Sequence, residues 1–147
     1  MASLMMFLLL WLMAHTNYSA PKELPLVQYR TSVELNELAY GQKAIEEARK
    51  TGSEIMQPLA VYDRETRTIY LSKNFDVTNK EHQAIMLHEL VHHLQEVNVV
   101  GYRQCTMELE PEAYGLERKW VIEQGLPDPY KGKELFLIFV GTCPMGY

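Results

Sequence analysis

The stretch AIMLHELVHHLQ, residues 84–95, contains two histidines four positions apart, with a glutamate directly after the first. On a helix, His88 and His92 lie on one face, one turn apart, so both imidazole rings can reach a single metal ion. Glu89 lies where it can take a proton from water on that metal. It is also the only acidic or basic residue besides histidine in the stretch. Because a carboxylate in an apolar run is costly without a partner or a function, the stretch predicts a mostly buried helix with a zinc site.

Capping and periodicity define the helices around this motif. Thr78-Asn79-Lys80-Glu81 is a capping box, which predicts that the motif helix begins close to Asn79, runs to about Val97 and stops near Gly101. A further helix is predicted from Met107 to Gln124. Its core face carries apolar residues at helical spacing: Leu109, Ala113, Leu116 and Trp120. Two other histidines are not expected to be ligands: His82 in the first turn of the motif helix, and His93, pointing about 100° from His92 towards the surface or a supporting position.

The remaining chain completes an α+β fold that is mostly helical. Thr31-Ser32-Val33-Glu34 is a second capping box, and it begins an amphipathic helix that ends near Gly52. Leu59–Tyr62 and Thr68–Leu71 are β-prone runs on either side of a polar turn, which predicts a hairpin packed on the motif helix. The apolar run Leu135–Val140 fits either a strand or a short buried helix. The core face predicted for the amphipathic helix that follows Thr31 consists of Leu35, Leu38, Ala39, Gln42, Ile45 and Ala48.

A zinc ion that keeps one position open for water needs a third protein ligand. A third histidine six residues after His92 would fit, but Asn98 occupies that position. The following helix is instead rich in glutamates: Glu108, Glu110, Glu112, Glu117 and Glu123. Helical angles place Glu110 and Glu112 on opposite sides of the core face at similar offsets, so both stay open as the third ligand. The other three are expected to be solvated charges.

The segment Glu110-Pro111-Glu112-Ala113-Tyr114 resembles the E-x-E-A-D stretch of membrane-associated gluzincin-type zinc metallopeptidases. The resemblance covers roughly residues 68–120 and implies a minimal zincin-like domain. It also implies that Glu110 is the ligand, whereas thermolysin-like spacing would select Glu112. In that group an acidic residue four places after the ligand supports a histidine, and here Tyr114 stands at that position. The overall form is closest to small exported bacterial proteins with this motif and no known function.

The chemistry implied is hydrolysis of a peptide bond by zinc-activated water. His88, His92 and Glu110 would hold Zn²⁺, and Glu89 would act as the general base. The oxyanion would need a further donor, for which the tyrosines Tyr102, Tyr114 and Tyr130 are candidates. The expected partner is a peptide or protein substrate, with cell-wall peptides as one class. Two alternatives remain: a zinc-binding module that does not hydrolyse, and a metal-free helical domain with a chance motif.

The strand before the motif helix suggests how a substrate could be held. Thr68, Tyr70 and Ser72 alternate along one face of this strand, opposite Ile69 and Leu71. An edge strand at this position could pair with an extended peptide. The strand is therefore a candidate substrate rail, unless it is an ordinary solvent-facing edge.

The first twenty residues are predicted to be a signal peptide, leaving residues 21–147 as a single domain. Leu4–Ala14 is an unbroken apolar run of eleven residues, which is too short to span a bilayer and fits a secretory segment cleaved after Ala20. The segment lacks Lys and Arg. It could instead be a buried core helix or an uncleaved membrane anchor. Only as an uncleaved anchor would it attach the protein to a membrane. Export, periplasmic or secreted, would accompany a Cys105–Cys143 disulfide. With a net charge of -5 and no basic patch, nucleic acid is not an expected partner.

Overall fold

The computed structural model describes residues 1–98 and 105–143. The fold is α+β and mostly helical, as predicted. In chain order the described elements are α1 (Ala2–His15), β1 (Leu26–Arg30), α2 (Ser32–Thr51), β2 (Ala60–Asp63), β3 (Thr68–Ser72), α3 (Lys80–Val97), α4 (Glu110–Glu123) and α5 (Glu134–Phe139), with a 3₁₀ turn at Thr106–Leu109.

Helix α3 is the central element, and it packs against α1, α4 and β2. The side chain of Asn79 accepts hydrogen bonds from the backbone N–H groups of Glu81 and His82, so Asn79 is the N-cap. His82 lies in the first turn as expected, and its Nδ1 accepts from the backbone N–H of Asp76 at 2.9 Å. The helix ends at Val97 as predicted, while Gly101 lies outside the described residues. Most of its side chains from Gln83 to Gln95 are buried, which fits its low charge.

Helix α4 begins at Glu110 after the 3₁₀ turn, with Pro111 in its first turn. Proline is tolerated there because the first N–H groups of a helix have no intrahelical acceptor. The predicted core face is confirmed. Leu109, Ala113 and Trp120 are buried, and Leu116 is partly buried against the same core.

The sheet has three strands in the order β1-β3-β2. The predicted hairpin is confirmed: β2 and β3 are antiparallel. Strand β1 pairs in parallel with the other side of β3 and was not predicted. Because β3 is the central strand, its backbone groups are used by both neighbours, and Thr68 and Ser72 are buried. The proposed substrate rail along β3 is therefore wrong, because a peptide can add only to an edge strand.

Helix α2 has the predicted ends but not the predicted face. The Thr31–Glu34 capping box is formed, and Gly52 ends the helix in the left-handed conformation. Gly41, with φ 75° and ψ 154°, interrupts the helix midway, so residues before and after it do not share one face. Leu35 is buried, whereas Leu38 is 44% exposed.

Helix α1 is part of the core. Its buried residues are Met5, Leu8, Leu9 and Leu12. The indole N–H of Trp11 donates to the Glu123 carboxylate on α4 at 2.8 Å. Helix α1 therefore packs as a buried core helix, which is one of the two alternatives to a signal peptide. Cleavage after Ala20 stays a prediction. Within residues 1–98 and 105–143, no helix has both the length and the apolar character needed to cross a bilayer.

The C-terminal part returns to the start of α4. Cys105 and Cys143 form the predicted disulfide, with their Cα atoms 5.9 Å apart. The apolar run at 135–140 forms the short helix α5 rather than a strand. It is not buried as expected: Leu135 is 69% exposed and Ile138 66%.

Candidate metal centre

Three side chains from α3 and α4 converge on one point. His88, His92 and Glu110 each offer one ligand atom, and these atoms all lie within 4.8 Å of one another. The two histidine Nε2 atoms are 3.1 Å apart. The carboxylate of Glu110 faces both of them, with Oε2 3.2 Å from Nε2 of His88 and Oε1 3.4 Å from Nε2 of His92. The group could therefore hold a metal ion.

Glu112, the alternative third ligand, points elsewhere. Its Oε2 accepts hydrogen bonds from the Tyr18 hydroxyl at 2.5 Å and from Nε2 of Gln95 at 2.8 Å. Glu110 and Glu112 are two positions apart on α4, so their side chains leave the helix about 200° apart. Of the two, it is Glu110 that lies with His88 and His92.

Glu117 holds His88 from the other side. Its Oε2 lies 3.0 Å from Nδ1 of His88, and the side chain is buried. The expectation that Glu117 is a solvated charge is therefore wrong. Glu117 follows Glu110 by seven residues, which is two helical turns, so both carboxylates lie on the face of α4 that meets α3. That spacing is the signal by which Glu117 could have been found in the sequence.

The two carboxylates change the ionisation of His88. Burial alone would lower the pKa of His88, but hydrogen bonds to Glu110 and Glu117 outweigh it and raise the pKa to about 10. Burial would likewise raise the pKa of Glu110. The hydrogen bond from His88, together with the neighbouring ring of His92, outweighs that effect and lowers the pKa to about 2. Without a metal, the proton therefore stays on the ring, between two carboxylates.

Glu89 is buried beside this group. Its Oε2 accepts the backbone N–H of Tyr62 at 2.9 Å, because Tyr62 belongs to the set of β2 residues whose backbone groups point away from β3. Burial raises the pKa of Glu89, while the neighbouring His88 and His92 lower it in part. A carboxylate with a raised pKa is better suited to take and return a proton near neutral pH.

The donor set fits a divalent transition metal. It consists of two imidazole nitrogens and one carboxylate oxygen. In the metal-bound state Glu117 can accept from Nδ1–H of His88, which leaves the Nε2 lone pair for a metal. This contact thus favours metal binding by His88 through its Nε2 atom.

A family model described as a domain of unknown function (DUF6647) matches residues 1–144 of the chain. The chain belongs to this family. No curated protein and no solved structure is detectably similar to it. The matched range includes α1 and every residue of the candidate centre.

An aromatic wall covers one side of the centre in this DUF6647 chain, formed by Tyr114, Tyr130 and Phe136. The ring of Tyr114 meets that of His88 edge to face, with centroids 4.5 Å apart. Tyr130 and Phe136 contact Tyr114 at 5.5 and 5.2 Å. Burial, and then the charges of Glu110 and nearby carboxylates, raises the pKa of Tyr114 to about 12. Its hydroxyl therefore keeps its proton and can donate it in a hydrogen bond.

The three tyrosine candidates for the oxyanion donor differ in position. Within the described residues, the Tyr114 hydroxyl makes no hydrogen bond. Burial, and then the charge of Glu117, raises the pKa of Tyr130 above its usual range. Tyr102 lies outside the described residues. Of the two described candidates, Tyr114 is the one whose ring contacts His88.

His93 in this DUF6647 chain belongs to a different part of the core. It is buried, not at the surface, and it does not join the metal group. Burial lowers its pKa, so the ring is neutral. Its Nε2–H donates to the carbonyl oxygen of Glu23 at 3.1 Å, and its Nδ1 accepts from the Tyr62 hydroxyl at 3.0 Å. His93 therefore links β2 to the segment that precedes β1.

Proposed function

We propose that the chain is a zinc-dependent metallopeptidase with a gluzincin-type ligand set. The observation that carries the proposal is the convergence of His88, His92 and Glu110 with the buried carboxylate of Glu89 at their side. Two histidines and a glutamate are a ligand set found in catalytic zinc sites. The proposal also rests on the sequence resemblance around these residues.

Each residue has a distinct part in the proposed reaction. Zinc, when bound, supplies Lewis acidity that lowers the pKa of water and polarises a peptide carbonyl. Glu89 accepts the proton of the attacking water and passes it to the departing amine. Tyr114 donates a hydrogen bond to the oxygen that gains negative charge. Glu117 keeps the ring of His88 in its ligating orientation.

The proposed substrate is a peptide or protein, with cell-wall peptides as the first class to screen. The proposed location is outside the cytoplasm, periplasmic or secreted. The Cys105–Cys143 disulfide supports that location, because structural disulfides persist in oxidising compartments.

Metal analysis tests the site before any substrate is known. The purified chain should contain about one zinc per molecule. Glu110→Ala should not bind zinc even when the metal is in excess, whereas Glu112→Ala, which removes no ligand, should still bind it under that condition. Peptide hydrolysis should then be lost in Glu89→Gln without loss of zinc. A wild-type chain that binds no zinc after incubation with the metal would contradict the proposal and favour a chance motif.

A non-catalytic zinc module is the second candidate, and one contact favours it. The carboxylate of Glu89 is already bound by the N–H of Tyr62, as a purely structural partner would be. This candidate predicts zinc in the wild type, no hydrolysis of any peptide, and a loss of thermal stability in Glu89→Gln. The catalytic candidate predicts loss of turnover in that variant with zinc retained.

A further inference from the structure

Gln95 lies one turn after His92 on α3, and its side chain is 1% exposed. Its Oε1 is 2.9 Å from Nδ1 of His92. Its Nε2 is 3.0 Å from the carbonyl oxygen of Leu109 and 2.8 Å from Oε2 of Glu112. The amide therefore joins a proposed ligand on α3 to two acceptors at the start of α4.

These partners fix which way round the amide lies. A carbonyl oxygen and a carboxylate oxygen accept hydrogen bonds, so the NH₂ group of Gln95 must face Leu109 and Glu112. Its oxygen must then face His92. An amide oxygen only accepts, so Nδ1 of His92 must carry the proton.

The proton on Nδ1 determines the state of the other ring nitrogen, Nε2. A neutral imidazole has one N–H, so with the proton on Nδ1 the lone pair is on Nε2. That is the atom 3.1 Å from Nε2 of His88 and 3.4 Å from Oε1 of Glu110. The ligating nitrogen is thus prepared before any metal arrives.

We propose that Gln95 is a positioning residue that presets the tautomer and orientation of His92 for metal binding. Glu112, which also accepts from the Tyr18 hydroxyl, holds Gln95 in place. This inference rests on the metal site of the proposed function. It gives Glu112 a part in the site although Glu112 is not a ligand.

The first test compares Gln95→Met with Gln83→Met. Gln83 is a matched control: it is buried on the same helix, and its Nε2 donates to a backbone carbonyl, that of Val77, at 2.7 Å. It points away from the centre, about 140° around the helix from His88 and about 180° from His92. Gln95→Met should weaken zinc binding by about 10- to 100-fold, as measured by competition with a chelator. Gln83→Met should leave zinc affinity unchanged. Equal affinities of Gln95→Met and the wild type would overturn the inference.

A second measurement needs no variant of Gln95. In the zinc-free wild type, the ¹⁵N shifts of His92 at a pH where its ring is neutral should show Nδ1–H and an unprotonated Nε2. The Nε2–H tautomer would contradict the inference. A merely structural glutamine would not determine this signature.

Exchanging the two partners provides a rescue. Gln95→Glu combined with Glu112→Gln keeps an acceptor for Nδ1–H of His92 and restores a donor–acceptor pair between positions 95 and 112. The double variant should bind zinc about tenfold more tightly than Gln95→Met. Affinity no better than that of Gln95→Met, in a double variant that melts like the wild type, would count against the inference.

The outcomes separate the two proposals. If the wild type binds no zinc, the proposed function fails, while the tautomer of His92 still tests Gln95. If the wild type binds zinc and Gln95→Met binds it equally well, only the inference about Gln95 fails.

Discussion

At the scale of single residues, His88 is held by a carboxylate on each side of its ring. Its pKa of about 10 means that the metal-free ring is protonated at neutral pH. Zinc at the proposed site would need the lone pair on Nε2, so its binding would displace a proton to solvent. A bound metal and the proton would thus compete for the same atom.

We therefore expect zinc binding at pH 7 to release about one proton, and the release to fall as the pH rises towards 10. Titration calorimetry in buffers of different ionisation enthalpy measures this number. Glu117→Gln removes one of the two carboxylates that stabilise the proton, so it should release fewer protons at the same pH. A binding heat that does not depend on the buffer would contradict this assignment.

In the proposed reaction, Tyr114 is the donor to the oxygen that gains negative charge. Tyr114→Phe keeps the ring against His88 and removes only the hydroxyl. Loss of one such donor lowers kcat by about 10²-fold in other hydrolases, and we expect a similar loss here with little change in zinc content. Tyr130→Phe is the control from the same aromatic wall and should have a smaller effect. Equal kcat values for Tyr114→Phe and the wild type would remove Tyr114 from the mechanism.

The sequence predicts part of this centre. His88, His92 and Glu89 follow from spacing alone, because an i, i+4 pair shares a helix face in any context. The spacing of seven residues from Glu110 could have indicated Glu117 once Glu110 was chosen as the ligand. The part of Gln95 does not follow, since it depends on which faces of α3 and α4 meet. The surface position considered for His93 is wrong for the same reason: an angle of about 100° from His92 turns it away from the centre, as predicted, but towards β2 rather than solvent.

At the scale of secondary-structure elements, two glycines in helices differ in whether their backbone conformation requires glycine. Gly41 has φ 75° and ψ 154°, a region essentially restricted to glycine. Gly115 lies inside α4 with ordinary helical geometry, and a Cβ there would meet no atom within 4 Å.

Gly41→Ala should therefore lower the free energy of unfolding by about 1–3 kcal/mol, because alanine is strained in that conformation. Gly115→Ala should raise it by about 0.4–1 kcal/mol, because it restricts the unfolded chain without strain in the helix. Urea unfolding of both variants beside the wild type measures the two changes. The prediction fails if the two changes have the same sign.

Helices α3 and α4 and the hairpin were predictable because capping residues, glycines and periodic apolar residues define them locally. Strand β1 was not, because it is five residues long and its parallel partner β3 begins 42 residues later in the chain, from Leu26 to Thr68. A parallel pairing leaves no turn between the strands to mark it. The break at Gly41 was not predicted because a single glycine within a helical pattern is compatible with a straight helix and with a kinked one.

At the scale of the whole molecule, α1 raises the question of what the folded domain includes. It is apolar on every side, and its length fits both a secretory segment and a core helix, so sequence alone does not choose between them. Tertiary packing supplies the additional information: four of its side chains are buried in the common core.

A chain that begins at Pro21 should therefore be much less stable than the full chain. Loss of one buried leucine costs about 2–5 kcal/mol, and α1 contributes three leucines and a methionine to a fold with a net stability of about 5–15 kcal/mol. Thermal unfolding by circular dichroism compares the two chains. Leu8→Ala in the full chain is the milder variant and should lower the melting temperature without preventing folding. Equal melting temperatures for the two chains would instead support a removable leader.

The disulfide makes residues 105–143 a closed covalent ring that contains α4, α5 and the aromatic wall. A protease that cuts one peptide bond inside this ring opens it but separates nothing, because the two pieces stay joined through sulfur. Glu110 and Glu117 would then remain attached to the molecule after the cut. A nicked chain would run as an intact one in denaturing electrophoresis until a thiol is added, so by that method a cut in this segment is visible only under reducing conditions.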